Sequence, residues 1–385
     1  MNRAASQALK AKDYPKLRGT LAELLPLLPG NPLILYNLAA ADARLGQPER
    51  AVAELKDLSG AGLIYDFNAD DDFAALRGSA GFADVLRQVE QNRKPIAHAA
   101  LVSKLPERDL LPEDLAYDGR TRRFLIGSAT KCKIVTADGQ TFAKSDWPVM
   151  ALRVDARRRI LWAATGWVAN CQQCYAADRD KSALLAFHLD SGALLKRLDS
   201  PVKGLLGDMT ISRAGDLYVS EGSYGAVLRL KADSSTIERL DMPGEFSSPQ
   251  TPALSADERT LYVPDYVRGI AAIDLKTRAV RWLQPAHNIA LGGIDGFYRY
   301  GDAFLAVQNG VKPERVVLFS AGLTRQKILE ANTPGLGEPT HGTLVGGVFY
   351  FIANTGWNAY DDDGKRKADS APVESQIRKI VLSPH

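Results

Sequence analysis

One phrase recurs six times after residue 99: an apolar run of strand period, a turn bearing Asp or Gly, then a second run carrying an aromatic residue. The copies are PEDLAYDGRTRRFLIGSA (112–129), VMALRVDARRRILWAAT (149–165), GDMTISRAGDLYVSE (207–221), TPALSADERTLYVPD (251–265), DGFYRYGDAFLAVQN (295–309) and HGTLVGGVFYFIAN (341–354). Each is followed by a further strand, such as AVLRLKA (226–232) or GIAAIDL (269–275). The last four copies begin about 45 residues apart, and a unit of that length with three or four short strands is a propeller blade. Six copies therefore predict six blades, and the 32 Gly and 20 Pro are the turns between them. A ring of blades leaves an open edge unless one terminus completes the last blade. AALVSKL (99–105) is placed to pair beside SQIRKIVLS (375–383) at the other end of the chain.

Upstream, residues 1–97 change period to that of helices, with Ala and Leu at i, i+3 and i+4. The stretch 31–58 resembles a tetratricopeptide repeat: Leu35, Leu38 and Ala39 fall on the first-helix packing positions, Gly46 on the turn, Ala51 and Leu55 on the second helix. Asp42 stands where that pattern usually has an aromatic and Leu58 where it usually has Ala. Residues 4–28 read as another helix pair and 72–91 as a short helix, a turn and a capping helix. About two repeats are too few for a free-standing solenoid, so this arm is expected to lean on the rest of the chain, at the ring seam. The fold class is then α + β and multi-domain: a short tetratricopeptide-like helical arm (1–97) before an all-β six-bladed β-propeller (98–385).

The balance of 48 basic and 45 acidic residues excludes a nucleic-acid or membrane-surface partner written into bulk charge. There is no apolar run long enough for a membrane span. The first residues lack the apolar core of a signal peptide, so the chain as written is expected in the cytoplasm, and a removed leader would place it in the periplasm. No G-x-S-x-G elbow, Walker A motif or strand-flanked G-x-G-x-x-G is present, which removes support for serine hydrolase and nucleotide chemistry.

The heads of the six phrases open onto the central channel, and the residues at that register are Glu113, Val149 or Met150, Gly207 with Asp208, Gln250 with Thr251, Asp295 and His341. Carboxylate and amide oxygens converging from separate repeats suit a hard divalent cation, calcium first, with magnesium or manganese as alternatives; zinc is the last alternative, since a set without converging Cys and His ligands is a poor match for it. The same residues also fit a bland reading, because channel-facing polar groups bind ordered water and Asp before Gly is a common turn residue.

PEDLAYD (112–118) resembles the opening motif of the senescence-marker-protein/gluconolactonase family of six-bladed propellers. The resemblance spans about residues 105–383 and is carried by the phrase heads. It implies metal ligation by Glu113 and by Asp295 in IDGFY (294–298), with Gln250 in PQTPALSAD (249–257) where the family has Asn. Gly207-Asp208 falls on an Asn-Asp pair of the family and keeps only the Asp. The resemblance thus implies a divalent-metal-dependent hydrolase of a lactone or related ester, a small-molecule substrate, and Asp208 or His341 as base or substrate contact. The alternative is a non-catalytic scaffold in which arm and ring bind partners, a protein partner through the arm among them. A carbonyl-condensing or isomerising enzyme on the same fold is a third possibility.

Two further features stand out. Cys171 and Cys174 lie in the longest insertion (166–179) and are expected to be a loop disulfide or inert thiols; zinc would need two more ligands, with Cys132 and His188 the nearby options. Trp167 and Tyr175 of that insertion could wall the channel mouth. The acidic run WNAYDDDG (357–364) lacks EF-hand spacing and reads as a solvated loop.

Overall fold

The computed structural model describes residues 3–171, 173–361 and 363–383. Five helices come first: α1 (Arg3–Lys10), α2 (Tyr14–Leu24), α3 (Pro32–Arg44), α4 (Pro48–Gly60) and α5 (Ala80–Asn92). Their starts are set by caps. Asn31 Oδ1 accepts the N–H of Leu33 and Ile34 ahead of α3, Asp13 accepts that of Lys16 in α2, and Ser79 accepts that of Phe82 in α5. Pro32 and Pro48 begin α3 and α4, where a missing N–H costs nothing. Between them Gly46 takes φ +71, a left-handed turn conformation that glycine adopts without penalty. The fully buried Ala39 and Ala51 let α3 and α4 pack closely. Asp42, unexpected for its position, is buried on α3 and accepts a hydrogen bond of 2.7 Å from Arg18 of α2.

The repeated phrases form six antiparallel sheets built outward in sequence order, except that the outermost strands of the last two come from upstream of the first. Their innermost strands are Pro112–Asp118, Val149–Asp155, Leu206–Ile211, Ala253–Leu254, Ile294–Tyr300 and Gly342–Val345. The first packs against both the second and the sixth, so the sheets close into a six-bladed β-propeller. Facing blades bury aliphatic side chains against each other, as Leu125 and Ile134 of blade one do with Leu152, Leu161 and Leu185 of blade two. Each such side chain contributes about 1.5–3 kcal/mol.

The sixth blade is completed as the sequence suggests. Ala99–Lys104 runs antiparallel to Gln376–Val381, with Ala99 opposite Ile380 and Lys104 opposite Gln376. Just upstream, Ile96–Ala97 adds a fifth strand to blade five, Ile96 opposite Ala331. At the crossing the buried carboxylate of Glu330 accepts the N–H groups of His98 and Ala99, both at 2.8 Å.

The arm does lean on the ring, but beside the seam and not over it. Because Ile96–Ala97 joins blade five, the helices are set back against blades four and five. Ala290 and Val311 enter the helical core. The fully buried Arg315 reaches the Ala61 carbonyl beyond α4 at 2.6 Å, and Asn31 donates to the Val267 carbonyl at 2.7 Å. Among the described residues no helix is long and apolar enough to cross a membrane.

Candidate functional site

Four of the innermost strands carry an extra residue near their start. Pairing jumps from Pro112–Ser128 to Leu115–Ile126, from Val149–Thr165 to Ala151–Ala164, from Leu206–Glu221 to Asp208–Ser220, and from Ile294–Gln308 to Phe297–Ala306. A β-bulge twists its strand and re-aims the side chains at that level. Glu113, Asp114, Met150, Asp208 and Asp295 all lie in or beside these bulges. Gly296 shows how tight the arrangement is: a Cβ there would stand 2.7 Å from the Thr340 carbonyl oxygen, so a larger residue would push blade six, with His341, away from Asp295.

His341 is the hub. Its Nε2 lies 2.5 Å from Asp208 Oδ1 and 3.4 Å from Asp295 Oδ1, and its Nδ1 lies 3.0 Å from the Glu113 carbonyl oxygen. The donor atoms of Glu113, Asp295 and His341 all fall within 4.8 Å of one another, and all three residues are buried. Each carboxylate is held by a neutral donor: Glu113 Oε2 by the Trp357 indole at 2.6 Å, Asp295 Oδ2 by the Asn309 amide at 2.6 Å, and Asp208 Oδ1 by the Thr251 hydroxyl at 2.5 Å. Tyr266 in turn donates to Asn309 Oδ1 and fixes which way that amide points. The Thr340 hydroxyl donates to the Glu113 carbonyl at 2.7 Å.

The electrostatics follow from burial. Beside Glu113, Asp114 is neutralised by Arg153 at 2.6 Å and by the Leu152 N–H. That leaves Glu113, Asp208 and Asp295 facing one imidazole. Burial, with Asp295 nearby, pushes the Glu113 carboxyl up to about 8, and burial with Asp208 pushes Asp295 to about 6, although His341 pulls both down. Burial alone would depress the imidazolium, but Asp208 and Asp295 outweigh it and hold His341 well above its ordinary value. Both ring nitrogens face acceptors, the arrangement an imidazolium requires.

The likeness to known proteins is one of fold. Virginiamycin B lyase from Staphylococcus aureus matches with a TM-score of 0.51 at 14% identity, covering 74% of this chain and 99% of that one. A luciferin-regenerating enzyme matches with a TM-score of 0.50 at 12% identity, covering 76% and 100%. Neither a protein-family model nor a curated protein sequence matches the chain. At such identities the six-bladed ring is shared, and the chemistry has to be argued from the axis itself.

Of the residues singled out in the sequence, Glu113, Asp208, Asp295 and His341 meet at the axis. Gln250 stands differently: its amide nitrogen donates to the Ser248 hydroxyl and carbonyl at 3.0 and 3.1 Å. Pro252 cuts the innermost strand of blade four to Ala253–Leu254, and in that blade Thr251 is the residue that reaches Asp208. Asp114, Arg153, Asn309 and Trp357 complete the site without having been singled out in the sequence. The bulge accounts for Asp114, since it puts two adjacent acidic side chains at one level; Trp357 comes from a loop whose path no local pattern gives.

Two long loops cover this end of the channel. Val168, in the insertion of blade two, packs against a cluster of Leu111, Ala129 and Met150 that Trp357 and Tyr360 of the other loop also cover. The same insertion holds the disulfide Cys171–Cys174, while Tyr175 projects into solvent. In the acidic run, Asp361 turns back to accept the N–H groups of Asp363 and Lys365, and Asp362 lies outside the described residues. The opposite end opens into a cavity of about 330 Å³ lined by Arg153, Tyr298, Thr210 and Leu344.

Proposed function

We propose that this chain is an enzyme that hydrolyses a lactone or related ester at the channel axis with the help of a divalent cation. The observation that carries the reading is an excess of buried acids: three carboxyl groups from three blades converge on one histidine, after Arg153 has been spent on Asp114, and a bound cation would let Glu113 give up its proton. A buried excess of this kind fits a cation with oxygen ligands, and Glu113 and Asp295 would hold it. Such an ion, when bound, supplies Lewis-acid polarisation of the substrate carbonyl.

The remaining steps belong to the chain. Asp208 accepts a proton from the attacking water. His341, held as an imidazolium by Asp208 Oδ1 and the Glu113 carbonyl, delivers its Nε2 proton to the departing alkoxide and recovers one from Asp208. Thr251 and Asn309 keep the two aspartates from rotating, and the loops carrying Val168 and Trp357 exclude bulk water, which strengthens every charge interaction beneath them.

A panel of lactones and simple esters tests the proposal. Turnover should disappear with a chelator, return with Ca²⁺ and be lost in Asp295→Asn, and labelled water should enter the product. Turnover that survives both chelator and substitution overturns it. Cation binding without turnover of any substrate would favour the scaffold reading instead.

A further inference from the structure

The chain has three cysteines, and all of them meet at one place. Cys132 belongs to blade one, just before its third strand, and Cys171 and Cys174 to the long loop of blade two. The Cys132 thiol is free and buried, and its Sγ lies 3.6 Å from Cys171 Sγ. All three sulfurs fall within 4.8 Å of one another. Cys132 also sits at φ +48, a left-handed conformation that costs a side-chain-bearing residue about 1–2 kcal/mol. His188 takes no part: it ends the strand Ser182–His188 and lies against Ser191.

The sulfur spacing has a chemical meaning. Tetrahedral zinc, with Zn–S bonds of about 2.3 Å, keeps its sulfurs about 3.8 Å apart. Cys132 and Cys171 are already close to that separation, and opening the Cys171–Cys174 bond frees the third sulfur. The C-x-x-C spacing is that of a zinc chelate, and thiolates select soft metals over the hard cations suited to the carboxylates of the axis.

We propose that reduction of the Cys171–Cys174 disulfide opens a site for a soft divalent cation, zinc above all, held by the thiolates of Cys132, Cys171 and Cys174. A dithiol reductant gives two electrons and two protons to the disulfide and leaves as its own disulfide. Metal binding then releases the three thiol protons, and water fills the fourth position. In the oxidised chain two of the three sulfurs are bonded to each other, and the site is closed. The loop that carries Cys171 and Cys174 also carries Val168, which packs against the cluster of Leu111, Ala129 and Met150 that Trp357 joins, so the site ties the covering loop to blade one beside the channel mouth.

Cd²⁺ is the probe, titrated into the full-length protein and followed by sulfur-to-cadmium charge-transfer absorption in the ultraviolet. The reduced protein should bind one Cd²⁺ with this absorption and yield it to Zn²⁺ but not to Ca²⁺; the oxidised protein should show none. Cys132→Ser should weaken binding by about tenfold or more and remove roughly a third of the absorption, one thiolate of three. Equal absorption in the two redox states, or an unchanged titration in Cys132→Ser, overturns the proposal. Because Cys132 is buried, Cys171→Ser in the loop repeats the test without disturbing a blade, and undiminished binding there is equally decisive against it.

Discussion

Glu113 and Asp118 lie on one strand, the innermost of blade one, and both are buried, yet their carboxyl groups live in opposite conditions. Asp118, at the far end, accepts both Nη groups of Arg159 at 2.8 and 2.7 Å, the Thr121 hydroxyl and the Arg120 N–H. The Arg159 guanidinium holds it well below the usual carboxylate range. Glu113 has one indole N–H for its carboxyl, the His341 ring at 4.0 Å shared among three acids, and the two other acids for company. Where a buried carboxylate holds a turn together, the fold supplies a cation from its own chain. At the axis it supplies a single imidazolium, His341, for three acids, and what that one cation leaves uncompensated is poised for something that arrives from outside.

The comparison can be broken or sharpened by substitution. The largest effect is expected at the axis: Asp295→Asn should cost about 10³-fold in kcat/KM, near 4 kcal/mol of transition-state stabilisation. Thermal melting should show little loss of stability in that variant, because burial already disfavours the charge that is removed. Asp118→Asn should do the reverse, lowering the stability measured by urea unfolding by about 3 kcal/mol while activity per folded molecule stays constant. In the native chain the Asp118 contribution is present above pH 4 or so, the ordinary range of an aspartate. It should fade as acid protonates the group, and the variant should show a shallower acid limb.

Glu54 on α4 offers a case of the Glu113 kind away from the axis. Its Oε2 is buried with no hydrogen-bond partner among the described residues, and burial with Asp42 nearby pushes its carboxyl up to about 8. The folded chain therefore keeps a proton that the unfolded chain releases above about pH 4.3. Melting temperature should fall as pH rises from 5 to about 8, and Glu54→Gln should flatten that slope. The smallest effect is expected at Trp357→Phe, which removes the donor to Glu113 and should lower kcat/KM about fivefold, the equivalent of one hydrogen bond of about 1 kcal/mol.

The ring was largely legible because blades repeat. Turn residues at fixed offsets gave the six copies, and the closing strand followed from the need to cover an edge. The heads of the copies led to Glu113, Asp208, Asp295 and His341 for the same reason. What repetition cannot show is departure from it. A bulge adds a residue without changing the pattern, so the pairing of Asp114 with Arg153 went unseen. Pro252 shortens one strand, which is why Thr251, and not Gln250, touches Asp208. Trp357 and Asn309 depend on loop path and on a partner blade. The arm's place beside blades four and five turned on Ile96–Ala97, two residues whose strand pairing with Glu330 and Ala331 is non-local.

The closing strand also fixes an order of events. A ribosome makes Ala99–Lys104 before the first blade and Gln376–Val381 after the other five blades, so a strand that emerges before any blade is paired only once the sixth is made. Until then blade six lacks its outer strand, and Leu101 and Val102 belong to an unpaired edge open to other chains. A product that stops short of Gln376 keeps both edges bare.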